Sequence, residues 1–220
     1  MSLLLLVRHG QASWGAHDYD RLSSVGTEQS RVLGAALAAR GVRPDLVLRG
    51  SMTRHRETAE AAVAGAGWDA GVVEDAGWDE FDHLGAVDGT VLFEHLDDEP
   101  DEDRVRRFNG TVARWSSGEH DDEYAESFPA FQARVRDAFD RTLARLEPKQ
   151  TAVVFTSGGP VSWVTATLTD GGLPAWARLS KVVVNSSVTK VLTGRGGTNL
   201  ITFNDHSHLE GGAPDLLTYR

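Results

Sequence analysis

The chain has 220 residues, 40% of them hydrophobic and 25% charged, which suits one domain with a substantial core and excludes a disordered or collagen-like chain. Its 32 acidic and 22 basic residues give a formal net charge of −10, which argues against nucleic-acid or anionic-membrane binding. With no cysteine there is no disulfide, no thiolate metal site and no cysteine nucleophile.

In chain order, the continuous apolar run Leu3 to Val7, stopped by Arg8-His9-Gly10, predicts a strand buried on both faces. It is too short for a secretory signal core and lacks the flanks of one, and no segment approaches the ~18 apolar residues of a membrane span. A soluble, cytoplasmic protein is therefore expected. Ser23 or Ser24 can cap a helix running to about Arg40, ended by Gly41 and Pro44. Asp45 to Arg49 reads as a second strand, a helix follows Ser51 to about Ala64, and Val72-Val73 is a third short strand. From about Gly85 to Ala125 strand signals vanish and acidic runs appear, predicting short helices and loops in a side lobe with solvated charges.

Order returns at Phe128. Phe128, Phe131, Val135, Phe139, Leu143 and Leu146 recur at three- and four-residue steps, the stripe of an amphipathic helix stopped by Pro148. Thr151 to Phe155 is another buried strand, followed by Gly158-Gly159-Pro160 and a helix to about Leu168. Val188 to Leu192 and Asn199 to Phe203 form a hairpin around Gly194-Arg195-Gly196-Gly197. That glycine-rich turn lacks the following lysine of a phosphate loop and is read as a turn. Alternating strands and helices predict a layered α/β domain with a mostly parallel sheet, whose ligands sit beyond the carboxyl ends of its strands.

Three such ends carry chemistry: Arg8-His9-Gly10, the Ser51-to-Ala59 segment with Arg54, and Thr156-Ser157-Gly158-Gly159. Arginine matches phosphate oxygens with a planar fork, and each charge-assisted hydrogen bond contributes roughly 1.5–3 kcal/mol. Neutral imidazole is a nucleophile near neutral pH and takes a phosphoryl group on one nitrogen while the other is held by a hydrogen bond. Helix starts beyond Ser51 and Gly158 aim backbone N–H groups at the same anion. Each signal taken alone is more often structural or incidental, because strand ends commonly carry polar residues.

Together, in order, these segments resemble the histidine phosphatase superfamily, the phosphoglycerate-mutase-like proteins. Arg8-His9-Gly10 after an N-terminal strand is similar to the family signature. Leu22 to Gln29 resembles the opening of its first helix, and Arg54-His55-Arg56-Glu57-Thr58-Ala59 its Arg-x-x-(Gln/Glu)-Thr-Ala. Glu80-Phe81-Asp82 looks like its acidic segment, and Asn185 to Thr189 and Phe203 to Leu209 look like its final strands and tail. The resemblance implies a three-layer α/β/α fold over residues 1–220, with an inserted lobe at about 85–125. It implies a phosphohistidine on His9, an oxygen clamp of Arg8 and Arg54, and Glu80 as the acid, with Asp82 as runner-up. The acidic cluster is otherwise a solvated loop. No metal and no cofactor are implied, and the partner is a small phosphorylated substrate.

Two departures matter. Ser157 stands where the family usually has a second histidine. Its hydroxyl, with Gly158 beside it, still offers a hydrogen bond to phosphate but no positive charge. That removes on the order of 1–3 kcal/mol of transition-state stabilisation, or about one to two powers of ten in rate, unless His55, His83, His206 or His208 replaces it. In Gln11 to Gly15 a glycine stands where mutase-like members often have asparagine, and Trp14 either walls the pocket or packs on the first helix. The leading expectation is a metal-independent phosphomonoester phosphatase. The alternatives are a weak or inactive relative that binds phosphorylated ligands or a partner protein, and a phosphomutase. An edge strand and the apolar pair Leu216-Leu217 permit a homodimer.

Overall fold

The computed structural model describes residues 1–13, 20–81, 101–210 and 216–219. The chain divides into two compact units, Met1–Glu80 with Val135–Arg220, and Phe81–Arg134. Strand β1 (Ser2–Arg8) is followed by helix α1 (Ser24–Ala39), β2 (Leu46–Arg49), α2 (Thr53–Ala66) and β3 (Val72–Glu74). A 3₁₀ turn (Ala76–Trp78) precedes α3 (Asp101–Ser116), and a second (Asp121–Glu123) precedes α4 (Phe128–Ala144). Then come β4 (Thr151–Thr156), α5 (Gly158–Leu168), α6 (Gly172–Leu179), the hairpin β5 (Val188–Gly194) and β6 (Gly197–Asp205), and the short α7 (Ser207–Glu210).

The strands form one six-stranded sheet in the order β3-β2-β4-β1-β5-β6. β3, β2, β4 and β1 run parallel, and β5 is antiparallel to both β1 and β6. Burial follows from period-two geometry. Leu5, Val7, Val47, Val153 and Phe155 face one way and pack with Leu33 and Leu37 of α1 and Ala59 and Ala62 of α2. The alternate residues Leu4, Leu6, Leu48 and Val154 are equally buried, so the sheet is covered on its other face too. α5 lies against β1 and β6, and this is the expected three-layer α/β/α domain with a mostly parallel sheet. Among the described residues no helix is long and apolar enough to cross a membrane.

Local signals explain the boundaries. Ser23 is the cap of α1, its hydroxyl accepting from Gly26 N, and Gly41 beyond the last turn takes the left-handed φ of 76°. The smaller unit differs from the expected short helices, because α3 runs for 16 residues. The acidic run read as a solvated face runs on in the sequence into α3, where Arg106 pairs with Asp103 one turn back. In that unit Trp115 stacks on Phe81 with ring centroids 4.7 Å apart, meets Phe128 edge-on at 5.0 Å, and donates from its indole to the Glu126 carbonyl. Helix α6 was not foreseen; buried Trp176, donating to the Gly159 carbonyl, anchors it.

Candidate functional site

β1, β2 and β4 end level with one another. Arg8 pairs in register with Thr156 and Arg49 with Phe155, His9 N donates to the Thr156 carbonyl at 2.8 Å, and Gly50 N to the Phe155 carbonyl at 3.0 Å. The three chemistry-bearing strand ends therefore share one edge of the sheet, beside the point where β4 inserts between β1 and β2.

His9 is buried, and its Nδ1 lies 2.7 Å from the Gly10 carbonyl oxygen. A carbonyl only accepts, so Nδ1 carries the proton and Nε2 keeps its lone pair. The backbone around it is fixed: Gly10 N donates to Thr58 Oγ1, the Asn185 amide donates to the His9 carbonyl, and Ser186 N is shared between the carbonyls of Arg8 and His9. A Cβ on Gly10 would lie 2.3 Å from the Gly26 carbonyl oxygen, so only glycine fits there. Burial, then the charges of Arg54, Arg8 and His55, hold the His9 imidazole well below its ordinary pKa and keep it neutral. Both guanidinium groups thus act on this ring.

Arg54 lies in the first turn of α2. Its Nη1 donates to Asp20 Oδ1 at 2.7 Å, while Asp20 Oδ2 accepts from Thr53 N at 2.7 Å, so one carboxylate both meets the start of α2 and orients the arginine. Arg8 donates through Nη1 to the carbonyls of Val183 and Tyr219. The segment bearing Tyr219 is itself held by Gln29, which donates to the Leu216 carbonyl and Thr218 Oγ1. Glu80 Oε2 accepts from Gly159 N in the first turn of α5 at 3.1 Å.

Ser157 is the N-cap residue of α5, yet its hydroxyl caps nothing. It lies 2.7 Å from His55 Nε2. His55 is fully buried on α2, its ring centroid 5.8 Å from that of His9, with Nδ1 3.6 Å from Asp79 Oδ1. Burial lowers the His55 pKa, with Asp79 opposing the shift. Burial raises the Asp79 carboxyl, but the facing His55 and bonds from Ser51 N and Oγ outweigh it and hold the group below its ordinary value. A Cβ on Gly50 would lie 2.2 Å from His55 Nδ1 and 2.5 Å from Asp79 Oδ1, so the bare backbone makes room for both.

Of the residues singled out in the sequence, His9, Arg8, Arg54, Glu80, Ser157 and Gly158 all belong to this edge. Asp82, His83 and Trp14 lie outside the described residues. His206 Nδ1 donates to the Asn204 carbonyl, and burial lowers the His208 pKa to about 4. Sequence reading gave no role to Asp20 or Asp79, and left His55 as one of four histidines. A signal for His55 was present, since His55, Thr58, Ala59 and Ala62 follow the three- and four-residue spacing of a buried helix face. Among the described residues no group of three His, Asp or Glu side chains could hold a metal ion.

The family model described as the histidine phosphatase superfamily (branch 1) matches residues 4–206. The chain belongs to this superfamily. A 2,3-bisphosphoglycerate-dependent phosphoglycerate mutase of Thermobifida fusca (strain YX) is 40% identical, but the match spans only 30% of this chain and 30% of the mutase. Solved histidine-phosphatase-like structures share the fold over almost the full length. A mutant phosphoserine phosphatase from Entamoeba histolytica, in complex with phosphoserine, superposes with a TM-score of 0.67 at 20% identity, covering 95% of this chain and 100% of that one. YhfR of Bacillus stearothermophilus gives 0.67 at 23%, covering 96% and 100%. An Escherichia coli protein described as a putative α-ribazole-5′-phosphate phosphatase gives 0.67 at 22%, covering 93% and 98%.

Proposed function

We propose that this superfamily member is a metal-independent phosphatase that hydrolyses a small phosphomonoester through a phosphohistidine on His9. The observation that carries the reading is the His9 tautomer: Nδ1–H is held by the Gly10 carbonyl, so Nε2 keeps its lone pair on a neutral ring acted on by the charges of Arg54 and Arg8. Nε2 attacks phosphorus as the bond to the leaving oxygen breaks, and protonated Glu80 gives that oxygen its proton. The Glu80 carboxylate then takes a proton from water, whose oxygen attacks phosphorus as the P–N bond breaks. Arg8 and Arg54 grip the nonbridging oxygens, and Ser157 Oγ and the Gly158 N–H complete the cradle.

Residues 1–220 form one such domain on this reading, with the insertion at about 85–125. The test is release of p-nitrophenol from p-nitrophenyl phosphate, with and without chelator, beside His9→Ala. Turnover that survives chelator, disappears in the variant and passes through an acid-labile phosphoprotein supports the assignment. A phosphomutase is the second reading, favoured by the local 40% identity to a mutase. It requires label from a phosphorylated donor to appear in a second organic phosphate rather than in inorganic phosphate.

A further inference from the structure

The direction of the His9 ring is set by two peptide units. Nδ1 donates to the Gly10 carbonyl, so the ring follows the Gly10–Gln11 peptide, and that peptide follows the His9–Gly10 unit before it. Side chains pin both units. The His9 carbonyl accepts from Asn185 Nδ2 and from Ser186 N, each at 3.2 Å, and Gly10 N donates to Thr58 Oγ1 at 3.0 Å. Gln11 N donates to Gln29 Oε1 at 2.8 Å. The far ends of the two amides meet at one atom: Gln29 Nε2 donates to Thr218 Oγ1 at 2.8 Å, and Thr218 Oγ1 donates to Asn185 Oδ1 at 2.9 Å.

Every proton in this chain of bonds has one place. A carbonyl only accepts, so the His9 carbonyl fixes Nδ2 as the inner end of the Asn185 amide; an N–H only donates, so Gln11 fixes Oε1 as the inner end of Gln29. An acceptor, Asn185 Oδ1, and a donor, Gln29 Nε2, are left pointing outward. A hydroxyl answers both at a single atom, giving its hydrogen to one and accepting from the other. Gln29 and Asn185 are fully buried, so turning either amide over would set like against like away from water. Thr218 is half-buried, and it lies 189 residues from Gln29 and 33 from Asn185 in the chain.

We propose that Thr218 is a positioning residue for His9: its hydroxyl holds the Gln29 and Asn185 amides in the orientation that keeps both peptide units, and with them the imidazole, in place. The proposal takes the nucleophilic role of His9 from the phosphatase reading and adds what aims it. The hydroxyl is separable from the docking of its own segment. The Leu216 carbonyl accepts from Gln29 Nε2 at 2.8 Å, the Thr218 carbonyl from Asn185 N at 2.9 Å and the Tyr219 carbonyl from Arg8 at 3.0 Å, and none of these bonds uses it. Thr218→Val keeps the shape of the side chain and removes only the hydroxyl.

The test is ¹⁵N-histidine NMR on the intact protein beside steady-state turnover of p-nitrophenyl phosphate. In the parent, His9 should show a protonated Nδ1 and an unprotonated Nε2 at neutral pH. In Thr218→Val the amides lose their common partner, and the two His9 ring nitrogens should move toward averaged shifts; Thr218→Ala gives the same reading should the valine variant fold poorly. The kcat should fall about 10-fold with KM within about twofold, because the nucleophile is misaimed while Arg8 and Arg54 keep their partners. Thr218→Ser retains the hydroxyl and should restore both readouts. A merely structural role would lower the melting temperature and leave the ring signals where they are. Unchanged His9 ring signals in both variants without the hydroxyl overturn the proposal, as does an active parent whose kcat survives both substitutions. Altered ring signals in the variants, beside a parent protein that neither releases p-nitrophenol nor forms phosphohistidine, overturn the phosphatase reading alone.

Discussion

Replacing Gly50 with alanine tests how tightly His55 and Asp79 are packed. The new methyl carbon would sit 2.2 Å from His55 Nδ1 and 2.5 Å from Asp79 Oδ1. Relaxed carbon contacts lie at about 3.5 Å, so one group must retreat by roughly 1 Å. Neither is free to do so. His55 is fully buried with Ser157 Oγ at 2.7 Å on its far nitrogen, and Asp79 is held by Ser51 N at 2.6 Å and Ser51 Oγ at 2.5 Å. Overpacking of this kind costs about 1–3 kcal/mol, and loss of the buried His55–Ser157 hydrogen bond adds about 1 kcal/mol. A total of about 2–4 kcal/mol lowers the melting temperature of a domain this size by about 4–16 °C. Thermal unfolding followed by circular dichroism reads this directly. The matched control is Gly158→Ala, whose Cβ would meet nothing nearer than Arg8 Nε at 3.6 Å and whose helix favours alanine; its melting point should be unchanged or slightly higher. If Gly50→Ala melts within about 1 °C of the parent, the packing argument for His55 and Asp79 is wrong.

Three further outcomes are expected. Asp20→Ala removes both the acceptor of the Thr53 N–H at the start of α2 and a partner of Arg54; it should cost about 1 kcal/mol of stability and raise the KM for p-nitrophenyl phosphate more than it lowers kcat. Trp78→Phe, at a fully buried indole whose Nε1 donates to Thr142 Oγ1, should cost about 1–3 kcal/mol in denaturant unfolding without changing KM. Acid should destabilise the fold because His9, His55 and His208 all have depressed native pKa values. The unfolded chain takes up protons below about pH 6.5 that the native protein refuses, so stability present above that pH is lost as pH falls toward 4. Unfolding midpoints measured from pH 7 to 4.5 should drop, and His208→Gln should flatten the slope; an unchanged slope would show that the native pKa of His208 is not depressed.

The sequence by itself determined the parts whose signals are local. Leu3 to Val7 and Thr151 to Phe155 are unbroken apolar runs because both faces of the central strands are covered, and Ser23 and Gly41 bracket α1 through hydrogen bonds and dihedrals that involve few neighbours. Arg8, His9, Arg54 and Ser157 were legible because parallel strands bring their carboxyl ends to one edge whatever the details of packing. Tertiary structure decided the rest. Asp20 reaches Arg54 across 34 residues, His55 reaches Ser157 across 102, and Arg8 reaches the Tyr219 carbonyl across 211. Polar contacts between segments so far apart leave no periodicity along the chain, and a buried histidine looks the same in a sequence whether it fills a core or stands next to a serine hydroxyl. Which imidazole faces Ser157 was settled by the way α2 packs beside β4, with Gly50 leaving the space for it.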